Sequence, residues 1–186
     1  ACHKKKKPFL LLPLVDNSAV TDNSGGSSGG GSGDFNDAKG TFDNTFNGTG
    51  FIIEEIDGNT NNYDIAYAVI IQSDGKILVG GSCGYASCLA RFNPDGSLDN
   101  SFGTNGKTIN DFTAGYDIIY NMKIAPDGNI LAGGTCNIQF CIAKFDINNG
   151  SLIFLSTENL DSFIDFGKTI LTQSTGEILL GGYCGF

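Results

Sequence analysis

Tryptophan is absent from the 186 residues, methionine occurs once, and the single histidine is His3. With no histidine beyond position 3, neither a His-based triad nor a histidine metal centre can be built in the rest of the chain. Basic residues are scarce too. Of eleven Lys/Arg, four form the run Lys4 to Lys7, leaving seven against twenty Asp/Glu, or −13, for the remainder. A body this acidic does not hold nucleic acid by neutralising phosphates. Long apolar runs are missing: the longest, Phe9 to Val15, has seven residues and contains Pro13, too short to cross a bilayer as a helix. No segment sustains a 3.6-residue apolar period, so essentially no helix is expected.

What is present is glycine, 27 residues of it, with 40% hydrophobic residues as material for a core. Self-similarity organises the chain. GKILVGG at 75–81 returns as GNILAGG at 128–134 and as GEILLGG at 176–182. Residues 64–93 align without gaps on 117–146 with 14 identities in 30, among them Asp64, Tyr67, Asp74, Gly75, Gly80, Gly81, Cys83, Cys88 and Phe92. FDNTFNGTG at 42–50 reappears as LDNSFGTNG at 98–106.

Each unit has the texture of strands. Tyr67 to Gln72 and Ile77 to Gly81 flank the Ser73-Asp74-Gly75 turn, Cys88 to Phe92 ends at Asn93-Pro94-Asp95-Gly96, and Lys107 to Phe112 supplies a fourth strand matched upstream by Phe51 to Ile56. The GG doublets are read as strand ends. Four strands per unit of about fifty residues is the sequence form of a propeller blade. On Asp64, Ala66, Ala68-Val69, Asp74 to Gly81, Leu89 to Phe92 and Pro94 to Phe102, the chain resembles the delta-60 repeat. That resemblance implies tandem propeller-like blades on a bacterial secreted or surface protein, and no activity. The second copy departs from the pattern at Asn121-Met122-Lys123 and Asp146 to Gly150, and the third is degenerate between Ile153 and Asp161.

The expected architecture is all-β, a partial propeller of about two and a half blades. Residues 1–34 form an anchor segment and linker, and the units run 35–97, 98–151 and 152–186, the last incomplete. An open array leaves sticky edge strands, so the chain is expected to be a fragment of a longer protein. A short, complete β-solenoid or stacked-sheet domain is the alternative.

The cysteines sort by repeat. Cys83 and Cys88 enclose four residues, as do Cys136 and Cys141, where the second and third strands of a blade face each other within disulfide reach. Cys184 takes the slot of Cys83 and Cys136, and its partner falls near position 189, so it is expected unpaired. Two disulfides place the protein in an oxidising, extracytoplasmic compartment. Four converging thiolates on zinc are the competing reading, at a spacing outside the usual range.

Chemistry is thin. Asp74, Asp95 and Asp127 lie in turns where a carboxylate caps the backbone. Glu54 and Glu55 are adjacent and so face opposite sides of a strand, which does not suit a paired acid and base. No P-loop or dinucleotide pattern accompanies the glycine doublets. We therefore expect no catalytic residue, no cofactor and no metal. Asp57, Asn59, Asn61 and Asp64 alternate oxygen-bearing side chains as a calcium loop does, but without the glycine and late glutamate of an EF-hand; a polar interstrand loop is the ordinary alternative. Tyr67/Tyr120 and Phe92/Phe145 recur at repeat spacing and are read as core packing. Tyr85 and Phe140, in the CxxxxC loops, vary between copies and are the candidate ligand residues.

A small residue, a cysteine, four lysines and a polar Gly/Ser stretch (24–33) resemble the cleaved end of a bacterial lipoprotein. The resemblance implies lipid on Cys2, with Lys4, Lys5, Lys6 and Lys7 adding attraction to anionic headgroups. An ordinary signal peptide cleaved near Ala19 and an arbitrary start are the alternatives. The function expected is a non-catalytic surface lipoprotein, outer-membrane or cell-surface, with a propeller scaffold that binds a protein or glycan. A fragment of a glycan-active propeller enzyme and a calcium-dependent adhesin are the rivals.

Overall fold

The computed structural model describes residues 45–59, 63–160 and 163–185, with the backbone of 9–11, 14–15 and 41–42. Cys2, His3, Lys4 to Lys7, the Gly/Ser stretch 24–33 and Asn61 lie outside the described residues. Four short strands come first: β1 (Phe9–Leu11), β2 (Leu14–Val15), β3 (Thr41–Phe42) and β4 (Ile52–Glu54). Then come β5 (Asp64–Ile71), β6 (Ile77–Cys83), β7 (Ala86–Phe92) and β8 (Lys107–Asn110), a four-stranded antiparallel sheet in chain order. A second such sheet holds β9 (Asp117–Ile124), β10 (Ile130–Cys136), β11 (Gln139–Phe145) and β12 (Leu152–Glu158). The pair β13 (Asp165–Thr172) and β14 (Ile178–Cys184) follows. One short 3₁₀ turn, Phe46–Gly48, is the sole helical element among the described residues. The protein is an all-β array of propeller-like blades.

The sequence units are offset from the sheets. Their boundaries at 97/98 and 151/152 fall between the third and fourth strands of a blade, so the DNSF-type segment leads into the outer strand of the sheet before it. The second and third strands also run further than the apolar runs suggest. Gly84 and Asn137 have φ of 60° and 56°, so two-residue turns close the β6–β7 and β10–β11 hairpins and all eight CxxxxC positions outside those turns stay in the ladder.

The glycine doublets sit inside β6, β10 and β14 and do not end them. Each inner strand carries a bulge beside the doublet, at Tyr67, Tyr120 and Lys168. The bulge pushes a carbonyl toward the second glycine: a Cβ on Gly81, Gly134 or Gly182 would stand 1.8 Å from the oxygen of Ile65, Ile118 or Phe166. The first glycine serves the next blade. Gly80 admits Met122 and Ile119, and Gly133 admits Ile170 and Leu180.

The core accordingly lies between sheets. Phe46, Ile52 and Ile56 pack with Val79, Ala90 and Phe92 on one side of the first blade. On its other side Leu78, Leu89 and Phe102 meet Ile119, Met122, Ile130 and Phe145 of the second blade, and Leu131 and Ala125 meet Ile170 of the β13–β14 pair. Fully burying each large side chain contributes about 1.5–3 kcal/mol. Phe92 and Phe145 are core residues as their recurrence suggests. Tyr67 is not: it is 43% exposed, because the bulge takes its side chain off the in–out alternation of the strand.

The apolar stretch near the start is part of the sheet system. β1 pairs with β4, and β2 pairs with β3. In the chain the Gly/Ser stretch lies between β2 and β3.

Candidate functional site

Every inner strand opens on a buried aspartate. Asp64 Oδ2 accepts from the Ile56 N–H at 2.6 Å. Asp117 accepts from the N–H of Phe112 and of Thr113 and from the Thr113 hydroxyl. Asp165 accepts from the Leu160 N–H at 3.1 Å. These carboxylates fasten the loop that arrives from the preceding blade. They are spaced by the repeat, and the third escapes sequence reading because the residues around it have diverged. Burial pushes the Asp64 carboxyl above its usual range, partly opposed by the Ile56 N–H.

This arrangement bears on the calcium reading of Asp57, Asn59, Asn61 and Asp64. Asp57 Oδ1 accepts from the Asn59 N–H at 2.8 Å, closing a local turn, while Asp64 faces inward to Ile56. Asp57 and Asp64 thus use their carboxylates to order the backbone beside them. Among the described residues no cluster of three or more His, Cys, Asp or Glu is placed to hold a metal. Asp74, Asp95 and Asp127 cap their turns by accepting from the N–H groups of Lys76, Ser97 and Asn129. Glu54 pairs with the Lys107 ammonium, whose second bond goes to the Glu55 carbonyl.

The two disulfides, Cys83–Cys88 and Cys136–Cys141, cross the hairpins diagonally, with Cα atoms 5.9 and 5.4 Å apart. The residues directly opposite Cys83 and Cys88 are Ala86 and Gly81. Cys184 ends β14 at the place Cys83 and Cys136 hold in their blades, outside both bridges.

These hairpin turns lie at one end of the blades and link them. Gly84 and Asn137 N–H donate to the carbonyls of Tyr63 and Tyr116 within each blade, and Asp117 and Asp165 N–H reach across to the carbonyls of Tyr85 and Ile138. At this end Tyr85 is 62% exposed and Tyr116 56%, with ring centroids 4.7 Å apart across the blade boundary. The neighbouring Tyr85 hydroxyl raises the Tyr116 pKa. Tyr63 is exposed at the same end. Phe140 stands elsewhere: it belongs to β11, close to Gly182, and lines a cavity of about 220 Å³ with Ile142, Leu160 and Leu180 between the second blade and β14.

A second aromatic group follows the bulges along the inner strands. Tyr67 and Tyr120 meet edge to face at 5.0 Å, Tyr120 stands 6.4 Å from Phe166, and Phe166 stacks on Tyr183 at 4.8 Å. The Lys168 ammonium sits 3.1 Å from the Tyr120 ring centre and 5.1 Å from that of Phe166. Desolvation there lowers the Lys168 pKa. Lys168 is equivalent to Tyr67 and Tyr120, an equivalence that the change from tyrosine to lysine conceals in the sequence.

A groove of about 780 Å³ runs along β8, lined by Glu55, Ile56, Lys107, Ile109, Asn110 and Asn149. A second, of about 490 Å³, includes Lys76 and Arg91, whose cationic groups are both held by Asp99.

Comparison with known proteins adds one likeness. A family described as "Domain of unknown function (DUF5122) beta-propeller" matches residues 72–102, from the end of β5 through β6 and β7 to Phe102. Among curated proteins no match is found.

Proposed function

We propose that this chain is a non-catalytic surface lipoprotein of the bacterial envelope, in which propeller blades serve as a rigid scaffold for binding a protein or glycan. The observation that carries the binding role is the Tyr85–Tyr116 pair. Two large amphipathic rings are held in contact across a blade boundary, on turns fixed by backbone bonds, with more than half of each left to solvent. Such rings stack on sugar faces or apolar side chains at little entropic cost.

The anchoring role rests on Cys2 and the lysine run beside it. Six residues, 3–8, separate Cys2 from β1. Fully extended they reach about 20 Å, so a lipid on Cys2 holds the first strands close to the headgroups. The two disulfides accord with an oxidising compartment outside the cytoplasm.

Replacing Cys2 by Ser is expected to move the protein from the membrane to the soluble fraction of the native host; unchanged fractionation removes the anchor. For binding, immobilised envelope glycans and envelope proteins are titrated with the folded chain. Tyr85→Ala together with Tyr116→Ala is expected to weaken the retained ligand about tenfold or more. Unaltered affinity removes this face as the site.

A further inference from the structure

The two ends of the blades differ in chemistry. At the end that carries the β6–β7 and β10–β11 turns, Tyr63, Tyr116 and Ile164 stand one residue before the buried aspartates Asp64, Asp117 and Asp165, and are 48, 56 and 44% exposed. Tyr85 joins them on its turn, and Leu160, whose N–H is held by Asp165, is 67% exposed. The opposite end is built from the turns at 72–76, 93–97, 125–129 and 173–177, and none of the exposed large hydrophobic residues lies in them.

The first strand starts at the apolar end. Phe9 pairs with Glu54. Two residues on, the Ile56 N–H donates to Asp64, which opens β5 opposite Cys83 and so beside the Gly84–Tyr85 turn. With lipid on Cys2, the six residues 3–8 reach about 20 Å from Phe9. The opposite turns stand about 25 Å farther off, at the far ends of eight-residue inner strands. The anchor thus turns the tyrosine end toward the bilayer surface, the level at which tyrosine rings settle.

Acids among these rings make the face selective about headgroups. Asp111, in the loop before β9, and Glu158, at the end of β12, are both exposed at this end. Carboxylates repel anionic phospholipid headgroups but accept hydrogen bonds from sugar hydroxyls, and flat tyrosine rings stack on sugar faces.

We propose that the tyrosine end of the blades faces the membrane that holds Cys2, and that Tyr85 and Tyr116 take the uncharged sugar headgroup of a glycolipid in that membrane. The inference rests on the lipid-anchored reading of Cys2 and on the binding role of the tyrosine pair, and it narrows the glycan to one presented at the bilayer surface.

The chain has no tryptophan, so Tyr63→Trp at the tyrosine end and Ser73→Trp at the opposite end each give a single indole. In chains also carrying Cys184→Ser, Cys2 is coupled to maleimide lipid in vesicles of phosphatidylcholine and digalactosyl diacylglycerol, with phosphatidylcholine brominated high on its acyl chains as quencher. Quenching of Tyr63→Trp and not of Ser73→Trp is expected; equal or reversed quenching overturns the orientation and with it the proposal. The uncoupled Cys2→Ser chain is then titrated with the same vesicles lacking the quencher, and with plain phosphatidylcholine. Binding about tenfold or more tighter to the glycolipid vesicles is expected, and Tyr85→Ala with Tyr116→Ala is expected to abolish the difference. Equal binding to plain phosphatidylcholine, or none to either, overturns the proposal. Capture of free digalactose by a chain that ignores the vesicles leaves the tyrosine pair as a glycan site and overturns the glycolipid. The anchor itself is read separately, by the fractionation of Cys2→Ser.

Discussion

Arg91 and Asp99, eight residues apart, form an ion pair at 2.7 Å that is almost wholly buried. The remaining guanidinium donors reach the carbonyls of Ile147 and Asn148 in the next blade, and the cation lies 4.6 Å over the Phe102 ring. One side chain thus closes the turn of its own blade and clamps the neighbouring one. Arg91→Ala leaves Asp99 buried with only Lys76 and Ser101 to hold it, and strips the Ile147 and Asn148 carbonyls of their guanidinium donors. We expect a loss of about 3–5 kcal/mol, read as a lower urea midpoint with unchanged slope.

The same carboxyl makes stability depend on acid. Burial pushes Asp99 upward, but bonds from Ser101 and Lys76 and the charge of Arg91 outweigh it and hold its pKa well below the usual carboxylate range. A depressed folded pKa means the stabilisation is present above the unfolded value, near pH 4, and is lost as pH falls through the folded one. Asp64, raised by burial, acts in the opposite sense and favours the folded state as it protonates. The wild-type chain is expected to lose stability below about pH 4. In Asp99→Asn that acid slope flattens, as measured by urea titration at a series of pH values.

The paired glycines make separable predictions. Gly134→Ala drives a Cβ into the Ile118 carbonyl, a backbone clash inside a bulged ladder, and is expected to cost about 3 kcal/mol or more. Gly80→Ala meets chiefly the thioether of Met122, which can swing aside, and is expected to cost about 1–2 kcal/mol. Thermal melts of the two variants check the order.

Reduction of the disulfides is the fourth test. Each bridge closes a loop of six residues and contributes about 2 kcal/mol in the chain-entropy model. Dithiothreitol is expected to lower the Tm by about 4–8 °C per bridge. Cys83→Ser with Cys88→Ser should reproduce half of the total shift.

The parts of the fold legible in the sequence are those where local chemistry and repeat agree. The Asp-Gly turns, the aliphatic runs after them and the CxxxxC spacing place β6, β7, β10 and β11 and both bridges. What escaped did so for physical reasons. β1 and β2 carry FLL and LV where the first blade has Ser87-Cys88-Leu89 and Phe92-Asn93, and a strand position held by backbone pairing alone leaves no residue signature. Tyr67 and Tyr120 recur because a bulge recurs, and periodicity does not distinguish a bulged side chain from a core one. Phe140 looks like a loop residue in the sequence because the CxxxxC spacing does not reveal the two-residue turns at Gly84 and Asn137.

Lipid-anchored display is the central claim about function, and mass analysis of the Cys2 peptide from protein extracted out of native membranes tests it most directly. The account predicts an N-terminal Cys2 carrying an acyl mass increment, with Lys4 to Lys7 retained beside it. A Cys2 found unmodified within a continuous longer peptide contradicts it.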